Sequence, residues 1–467
     1  MENSRPRTLR PSWPFRRVAV VLSGGGALGA YEIGVLKVLE SVGLRPAILA
    51  GVSVGAINAV VWLAHGFRTA ELERAWRNLR GSAIGMRWST LALRAAGVFI
   101  VMLALIEFAL TLAGVSELNV RARFRRLEDA MGFEVYSILF ESLAWLVVGA
   151  AGVLMTRLAV RLEEALARFG AAADPERWQR WLGRGILGAA ALYAVATVAG
   201  LPWPWRFHAV LMLAGGLVWV ANRPGRPREW LRRLFLRLMP ETRGRGLWRG
   251  GARRRLIERL VQTGDPARLT AGDPHLIISA CALNDGRVSY FVNWSGPPPE
   301  FLERMREALG DVVEVLRPAD VIEATVASCA VPVLFEPVRF RGHDYLDGGV
   351  FSNQPLRAVV ADGADAILTV LVSPSSGPRE PRGEWNVVEL GARLQELSSW
   401  RDVQAELRLL PPGWSRDGDP ARLCVVEPER PLPGRLFGFD PEKAAELIRM
   451  GERDAQRALE RAGWLAA

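Results

Sequence analysis

The sequence has 467 residues, enough for one large domain or two to three average ones, and half of them are hydrophobic. The formal net charge of +10 is carried almost entirely by arginine, and such a surface suits nucleic acid or anionic lipid. No nucleic-acid-binding motif is present, so we expect no nucleic-acid partner. The three cysteines and four histidines are scattered, which argues against a disulfide framework and provides no spacing typical of a metal site.

The N-terminal part of the chain predicts a surface arm followed by a parallel α/β sheet. Residues 1–17 are basic and contain prolines, which is typical of a disordered or surface arm. Val18–Leu22 is a β-branched run before three glycines and predicts a buried strand. This run is too short for the apolar part of a signal peptide, so we expect a cytosolic start. A helix over Ala27–Val42, a strand over Ala47–Ala50 and a helix over Ala56–His65 complete two strand–turn–helix units.

The composition becomes strongly apolar in residues 88–240, which we interpret as a hydrophobic helical insert. A helix needs about 20 apolar residues to cross a bilayer. We predict up to four membrane segments, at about 95–115, 135–156, 186–202 and 206–222. The alternative is a buried helical subdomain, because the segments are rich in alanine and glycine and two are short. Residues 228–237 alternate apolar residues with arginine, typical of an interfacial helix on anionic headgroups or of a helix on the protein surface.

From residue 241 the pattern returns to that of a globular domain. We therefore divide the chain into the arm, a first domain part over 18–87, the insert, and a second domain part over 241–467. The predicted elements of the second part are strands at Leu276–Ala280 and Ala366–Val372, helices at Phe301–Leu309, Ile322–Ser328 and Pro441–Ala462, and a polar loop at Ser373–Trp385.

The first glycine-rich turn has two interpretations. Gly24, Gly26 and Gly29 spell G-x-G-x-x-G after a strand, a spacing found in dinucleotide-binding folds. Such a fold needs an acidic residue about 20 residues further on, at the end of the second strand. Here the second strand ends in AGVSVG and offers no carboxylate. A dinucleotide-binding oxidoreductase therefore remains an alternative that the sequence disfavours.

The second glycine turn is typical of a serine nucleophile. Gly51-x-Ser53-x-Gly55 follows a strand and opens a helix, which is the context of a nucleophile elbow. A tetrahedral intermediate at Ser53 would need hydrogen-bond donors placed in advance. The backbone amides of Gly24–Gly26, at another helix N-terminus, are suited to that task because no Cβ blocks their approach.

The partner base is not decided by spacing alone. No acid–histidine pair of the α/β-hydrolase order follows Ser53, and His65, His275 and His343 lie in unsuitable contexts. The most distinctive acid is Asp347 in YLDGGVFSNQP. Aspartate before two glycines is also common in ordinary turns, so both interpretations stay open at this point.

Four blocks in one order resemble the patatin-like phospholipase family: GGGALG, GVSVG, ASCAVPVLFEPV (327–338) and DGGVFSNQP (347–355). The resemblance covers roughly residues 16–87 and 245–460 and implies a three-layer α/β/α sandwich with a mostly parallel central sheet, interrupted by the all-α insert. It implies Ser53 as nucleophile and Asp347 as general base without histidine. It also implies an oxyanion hole at Gly24, Gly25 and Gly26, with Gly29, Gly51, Gly55, Gly348 and Gly349 as supporting motif residues.

One departure from the family concerns Leu28. Many members carry lysine or arginine there, so this loop lacks a cation that could recognise a substrate phosphate.

The activity implied by the resemblance is that of a membrane-associated lipid acyl hydrolase of the phospholipase A or lysophospholipase type. It would act through an acyl-enzyme without metal or cofactor, on a phospholipid or another acyl-ester lipid. Neutral lipase and thioesterase activities stay open within this class. We expect the protein at the membrane bilayer with its catalytic domain in the cytoplasm. A catalytically silent membrane scaffold with the same fold is the remaining alternative.

Overall fold

The chain divides into two units, residues 1–86 with 245–467 and residues 87–244. The structure is a computed structural model. It describes residues 14–86, 88–112, 135–169, 250–375, 387–434 and 436–465, together with Arg233, Gly246 and Trp248.

A mixed sheet of nine strands forms the centre of the described part of the first unit. The strands are β1 (Val18–Leu22), β2 (Ile48–Val52), β3 (His275–Ala282), β4 (Val288–Val292), β5 (Val312–Val315), β6 (Val338–Phe340), β7 (His343–Asp347), β8 (Ala366–Val370) and β9 (Leu423–Val426). The main order is β5-β4-β3-β2-β1-β8-β9, and β7 pairs with β3 and β6. Strands β3, β2, β1, β8 and β9 run parallel to one another, whereas β4 and β7 run antiparallel to β3.

Helices cover both faces of this sheet. In chain order the α-helices are α1 (Ala30–Ser41), α2 (Val54–Ala64), α3 (Ala70–Asn78), α4 (Trp88–Leu112), α5 (Val135–Phe169), α6 (Gly251–Gln262), α7 (Pro299–Leu309), α8 (Val321–Ser328), α9 (Leu356–Ala361), α10 (Val387–Arg408) and α11 (Pro441–Arg461). Alternate residues of β1 enter two separate cores, with Val20 on one face and Val21 on the other. The first core includes Leu36 of α1, and the second includes Phe301 of α7, so the predicted three-layer α/β/α sandwich is confirmed.

The register of the parallel strands places the site at one edge of the sheet. Leu22 of β1 pairs with Gly51 of β2, so the two glycine-rich turns leave the sheet side by side. Parallel strands bring their carboxyl ends to the same edge, and loops that bind ligands collect there. The predicted helix over Ala27–Val42 begins later than expected, at Ala30, because Gly26–Gly29 forms a tight 3-10 turn first.

Helix α1 is held in place by a close crossing with α11. A Cβ on Gly34 would lie 2.0 Å from the carbonyl oxygen of Ile448, and a Cβ on Gly451 would lie 2.0 Å from that of Tyr31. The Tyr31 hydroxyl also donates a 2.9 Å hydrogen bond to Asp454 Oδ2. The two helices can approach this closely only because each presents a glycine to the other.

The second unit contains the helices α4 and α5, which pack against each other. Gly97 of α4 faces Gly152 and Thr156 of α5, while Ala104 of α4 faces Gly149 of α5. The positions advance along one helix as they recede along the other, so the two helices run antiparallel. Small residues at such a contact let two backbones approach closely, as in membrane helix pairs.

The outer surface of this helix pair is apolar. Large side chains that are more than a third exposed are Leu105, Leu112, Leu139, Leu143, Leu146, Val147, Val153 and Leu154. Among the described residues, one helix is long and apolar enough to cross a membrane, over Ser142–Ala159 with a mean hydropathy of 1.6. The segments predicted at 186–202 and 206–222, and the 228–237 segment apart from Arg233, lie outside the described residues.

We expect Gly34→Ala to destabilise the first unit, because the added methyl group meets the backbone of α11. Overpacking of this kind costs about 1–3 kcal/mol, which lowers the melting temperature by several degrees. Thermal unfolding of the purified protein measures the effect. Gly251→Ala is the matched control, since a Cβ there meets only Arg255 Nη1 at 3.6 Å. Equal melting temperatures for the two variants would contradict the proposed close contact.

Candidate active site

Ser53 occupies a strained turn between β2 and α2. Its backbone has φ +53° and ψ −122°, a region that residues with a side chain rarely adopt. The turn requires glycine on both sides: a Cβ on Gly51 would lie 2.6 Å from the Gly55 carbonyl oxygen, and one on Gly55 would lie 2.5 Å from that of Leu22. The local structure is therefore that of the nucleophile elbow expected from the G-x-S-x-G pattern.

The structure brings Ser53 and Asp347 together. The Ser53 Oγ donates a 2.5 Å hydrogen bond to Asp347 Oδ2, and each residue is about 6% exposed. Asp347 is the last residue of β7, which pairs with β3 so that Asp347 lies opposite Ala280. The Gly349 amide donates to Asp347 Oδ1 at 2.9 Å and fixes the plane of the carboxylate.

Burial raises the pKa of the Asp347 carboxyl to about 6. The hydrogen bonds from Ser53 and Gly349 and the positive charge of Arg253 act in the opposite direction. Asp347 is thus a carboxylate at neutral pH, and it accepts a proton more readily than an exposed aspartate does.

The glycine-rich loop lies directly against Ser53, but Gly24 is used differently from our expectation. A Cβ on Gly24 would lie 3.1 Å from the Ser53 Cβ. The Gly24 amide donates a 2.9 Å hydrogen bond to Asn353 Oδ1, and Asn353 Nδ2 donates to the Gly24 carbonyl oxygen at 3.4 Å. Within the described part of the chain, no hydrogen bond uses the amides of Gly25 or Gly26. Among the described residues, these two amides, rather than all three, therefore have no acceptor in the protein, and Gly26 is partly exposed whereas Gly25 is buried.

The end of α8 holds both backbone polar groups of Ser53. The Ser53 amide donates to Ser328 Oγ at 2.9 Å, and Cys329 Sγ donates to the Ser53 carbonyl oxygen at 2.8 Å. The sequence interpretation missed these two roles, although both residues lie inside the ASCAVPVLFEPV block. No local signal could have identified them, because each bond joins residues more than 270 positions apart.

Arg253 stabilises the same segment from the other side. It is buried in α6 and donates to the carbonyl oxygens of Cys329 at 2.9 Å and Val326 at 3.2 Å. Its guanidinium lies over the Phe335 ring, 4.1 Å from the centroid. Arg253 belongs to an ordinary-looking arginine run, so its role was also absent from the sequence interpretation.

A second buried polar cluster lies next to the glycine-rich loop. Glu32 of α1 accepts a 2.8 Å hydrogen bond from Asn58 Nδ2, which also donates to the Gly29 carbonyl oxygen at 3.1 Å. Trp76 Nε1 donates to Asn58 Oδ1 at 3.0 Å. Burial raises the pKa of Glu32 to about 8, so the carboxyl is mostly uncharged at neutral pH.

The histidines have other surroundings. His65 Nε2 lies 2.9 Å from the Leu260 carbonyl oxygen, and His275 pairs with Asp362 and stacks on Trp294. His343 is exposed at the start of β7. No hydrogen bond among the described residues joins a histidine to Ser53 or Asp347, and the same residues include no cluster of potential metal ligands.

These features together are the parts that acyl transfer requires. A serine hydroxyl is bonded to a buried carboxylate and stands at the N-terminus of a helix. The adjoining loop contributes two backbone amides that have no acceptor among the described residues. A positioned base activates such a hydroxyl as a nucleophile, and oxyanion donors stabilise the tetrahedral intermediate that follows.

Comparison with known proteins agrees with this chemistry. A family model described as patatin-like phospholipase matches residues 20–360, more than half of the chain. Over 47 residues the chain is 45% identical to lysophospholipase nte1 of Aspergillus terreus and 47% identical to triacylglycerol lipase SDP1L of Arabidopsis thaliana. Each match covers 10% of this chain, and they cover 3% and 6% of the respective relatives, so the similarity spans a small part of these longer proteins.

A solved structure, VipD from Legionella pneumophila, aligns over 98% of this chain and 72% of its own. The sequence identity is 13% and the TM-score 0.35, a likeness too low to support a conclusion.

Proposed function

Because the chain belongs to the patatin-like phospholipase family, a family of lipid hydrolases, we propose that it cleaves the carboxylic ester of a membrane lipid through Ser53 and Asp347. The observation that carries this proposal is the 2.5 Å hydrogen bond from Ser53 Oγ to Asp347 Oδ2 inside a buried elbow. An activity of the phospholipase A or lysophospholipase type agrees with the relatives' names, which include a lysophospholipase and a triacylglycerol lipase.

The reaction proceeds in two half-reactions at one site. Ser53 Oγ attacks the ester carbonyl carbon while its proton passes to Asp347 Oδ2, and the oxyanion forms hydrogen bonds with the Gly25 and Gly26 amides. The intermediate collapses, and the leaving alcohol takes the proton from Asp347. Water then attacks the acyl-enzyme carbonyl carbon while Asp347 accepts its proton. The bond to Ser53 Oγ breaks, Asp347 returns that proton to Ser53 Oγ, and the fatty acid is released.

The contacts around Ser53 explain why this geometry is available before substrate arrives. Ser328 and Cys329 hold its backbone, and Asn353 holds Gly24 at 2.9 Å. Donors fixed in advance contribute more to catalysis than donors that must reorganise during the reaction.

We expect a fluorophosphonate probe to label the detergent-solubilised wild-type protein and to leave Ser53→Ala unlabelled. Asp347→Asn removes the base, so its labelling rate should fall about 100-fold or more. Gel fluorescence over a time course measures these rates. Asp285→Asn, an exposed aspartate in another turn, is the control and should label like the wild type.

Two other outcomes of this experiment would contradict the proposed function. Equal labelling of all variants would move the nucleophile away from Ser53. Absence of labelling in the wild type would favour the catalytically silent scaffold.

Hydrolysis of a soluble p-nitrophenyl ester should depend on the ionisation of Asp347. The base acts as a carboxylate, so kcat/KM should fall as pH drops through about 6 and should be level above about 7. Arg253→Met removes a positive charge that lowers this pKa, so the acidic limb should move to higher pH. A limb that stays in place in Arg253→Met, or one centred near pH 4 in the wild type, would contradict the assignment.

We also propose that α4 and α5 attach the protein to the bilayer. The support is the row of exposed leucines and valines on the pair, together with its glycine contact at Gly97 and Gly152. With 25 and 35 residues, each helix exceeds the length of about 20 residues that spans a hydrocarbon core. Two antiparallel helices also return the chain to the side from which it started.

Alkaline carbonate extraction of cell membranes tests this attachment. The wild type should stay in the membrane pellet, and Val147→Asp with Leu154→Asp should move it to the supernatant. Both positions are exposed, so a water-soluble helix pair would tolerate the changes, whereas a bilayer penalises each by about 3 kcal/mol. Arg161→Asp, at an exposed polar position of the same helix, is the control. Wild-type protein in the supernatant would support the alternative of a buried helical subdomain.

A further inference from the structure

An open groove lies beside the loop that follows Asp347. It has a volume of about 630 Å³ and runs between that loop and α10. We call it the α10 groove; the lining residues that matter here are Val350, Phe351, Trp400, Arg401, Asp402 and Arg408. Its size falls in the range of pockets that hold small ligands, about 300–1,000 Å³.

The α10 groove is connected to the candidate active site through short contacts. Phe351 follows Asp347 by four positions in the chain. Asp402 Oδ2 accepts a 2.7 Å hydrogen bond from the Asn353 amide, and Asn353 Oδ1 in turn accepts one from Gly24 at 2.9 Å. The groove wall is thus one residue away from the glycine-rich loop.

The side chains of the groove are aromatic and cationic. Phe351 is 49% exposed, and Trp400 is partly exposed beside it. Arg401 and Arg408 are both exposed and lie two turns apart on one helix, about 10 Å along its axis. Within the described ranges of the chain, neither arginine takes part in an ion pair, whereas Arg357 nearby pairs with Glu406 at 2.9 Å.

One carboxylate also lines the groove. Asp402 accepts the Asn353 amide, and burial raises the pKa of its carboxyl. The groove therefore has two arginines and one aspartate, and this aspartate is already hydrogen-bonded to Asn353. The resulting positive charge favours binding of an anionic group.

The arginines of the α10 groove lie near the candidate active site, whose glycine-rich loop has no cationic side chain. The glycine-rich loop carries Leu28 between Gly26 and Gly29, so it offers no side-chain charge to a phosphate. The family match ends at residue 360, before α10 begins at Val387. The two arginines of the α10 groove therefore lie in a part of the chain outside the match.

We propose that the α10 groove binds the phosphate-bearing headgroup of the lipid whose ester lies at Ser53. Arg401 and Arg408 contact the phosphate, and Phe351 and Trp400 pack against the glycerol backbone. Arginine suits this task because its planar fork donates two parallel hydrogen bonds to phosphate oxygens. The inference rests on the function proposed above and identifies its substrate class as a phospholipid or lysophospholipid rather than a neutral glyceride.

Binding of uncleavable ether lipids tests the groove without any chemistry at Ser53. The pair is an ether lysophosphatidylcholine, which has a phosphate and no ester, and a 1-O-alkylglycerol of equal chain length. The full-length protein in neutral detergent should bind the first at least 5-fold more tightly. Arg401→Ala with Arg408→Ala should abolish this preference, and the corresponding double lysine variant should keep part of it because the charges remain.

Arg449→Ala with Arg453→Ala is the matched control. These two arginines are exposed, lie on α11, and remove the same amount of charge. The control should keep the preference for the phosphate-bearing lipid. This result separates a local phosphate contact from attraction of the lipid by the overall positive charge of the protein.

The possible outcomes separate this inference from the proposed function. An unchanged preference in the double alanine variant, or an equal loss of affinity for both lipids, would overturn the phosphate contact. Wild-type protein that hydrolyses esters but shows no preference would leave the proposed function intact and overturn the groove. Wild-type protein that is inert toward esters but retains the preference would overturn the proposed function and leave the phosphate contact in the groove intact.

The kinetic counterpart uses lysophosphatidylcholine and monoacylglycerol as ester substrates. The double alanine variant should raise KM for the phosphate-bearing substrate about 10-fold relative to the neutral one, with a smaller change in kcat. A loss that falls mainly on kcat would indicate a distorted active site and would contradict a headgroup contact.

Discussion

The strained turn at Ser53 is the constraint on which the candidate site depends. A non-glycine residue with a backbone φ of +53° must be stabilised by its surroundings, and each polar group of Ser53 forms a hydrogen bond. Ser328 takes the amide, Cys329 the carbonyl oxygen and Asp347 the hydroxyl. Three segments that are distant in sequence, the elbow itself, the end of α8 and the end of β7, therefore meet at one serine.

Opposing effects set the proton affinity of Asp347. Burial disfavours its charged form, while Ser53, Gly349 and Arg253 favour it, and the balance leaves a pKa of about 6. A carboxylate with full solvent access would be a weaker base, and one buried without these partners would hold its proton at neutral pH. Arg253 is bonded to the carbonyl oxygens of Val326 and Cys329 rather than to Asp347 itself, so it contributes charge without occupying the carboxylate oxygens.

The apolar and the charged parts of a lipid substrate each match a feature of one of the two units. The α4–α5 pair presents an apolar outer surface, and the α10 groove combines two aromatic side chains with two arginines. A phospholipid has the same division, with apolar chains and a charged headgroup. In this interpretation the loss of a cation at Leu28 changes where a phosphate is recognised and leaves the acyl chemistry at Ser53 unaffected.

Local sequence determined the elements and the two turns of this protein. The apolar runs before Ser23 and Ser53 and the glycines around them predicted strand–turn–helix units, because those preferences act within a few residues. The block order led further, to Asp347 and the family. Only the tertiary structure decided that Asn353 takes the Gly24 amide and that Ser328, Cys329 and Arg253 hold the elbow. These bonds join segments up to 329 positions apart, so they exist only once the sheet has brought its strand ends together.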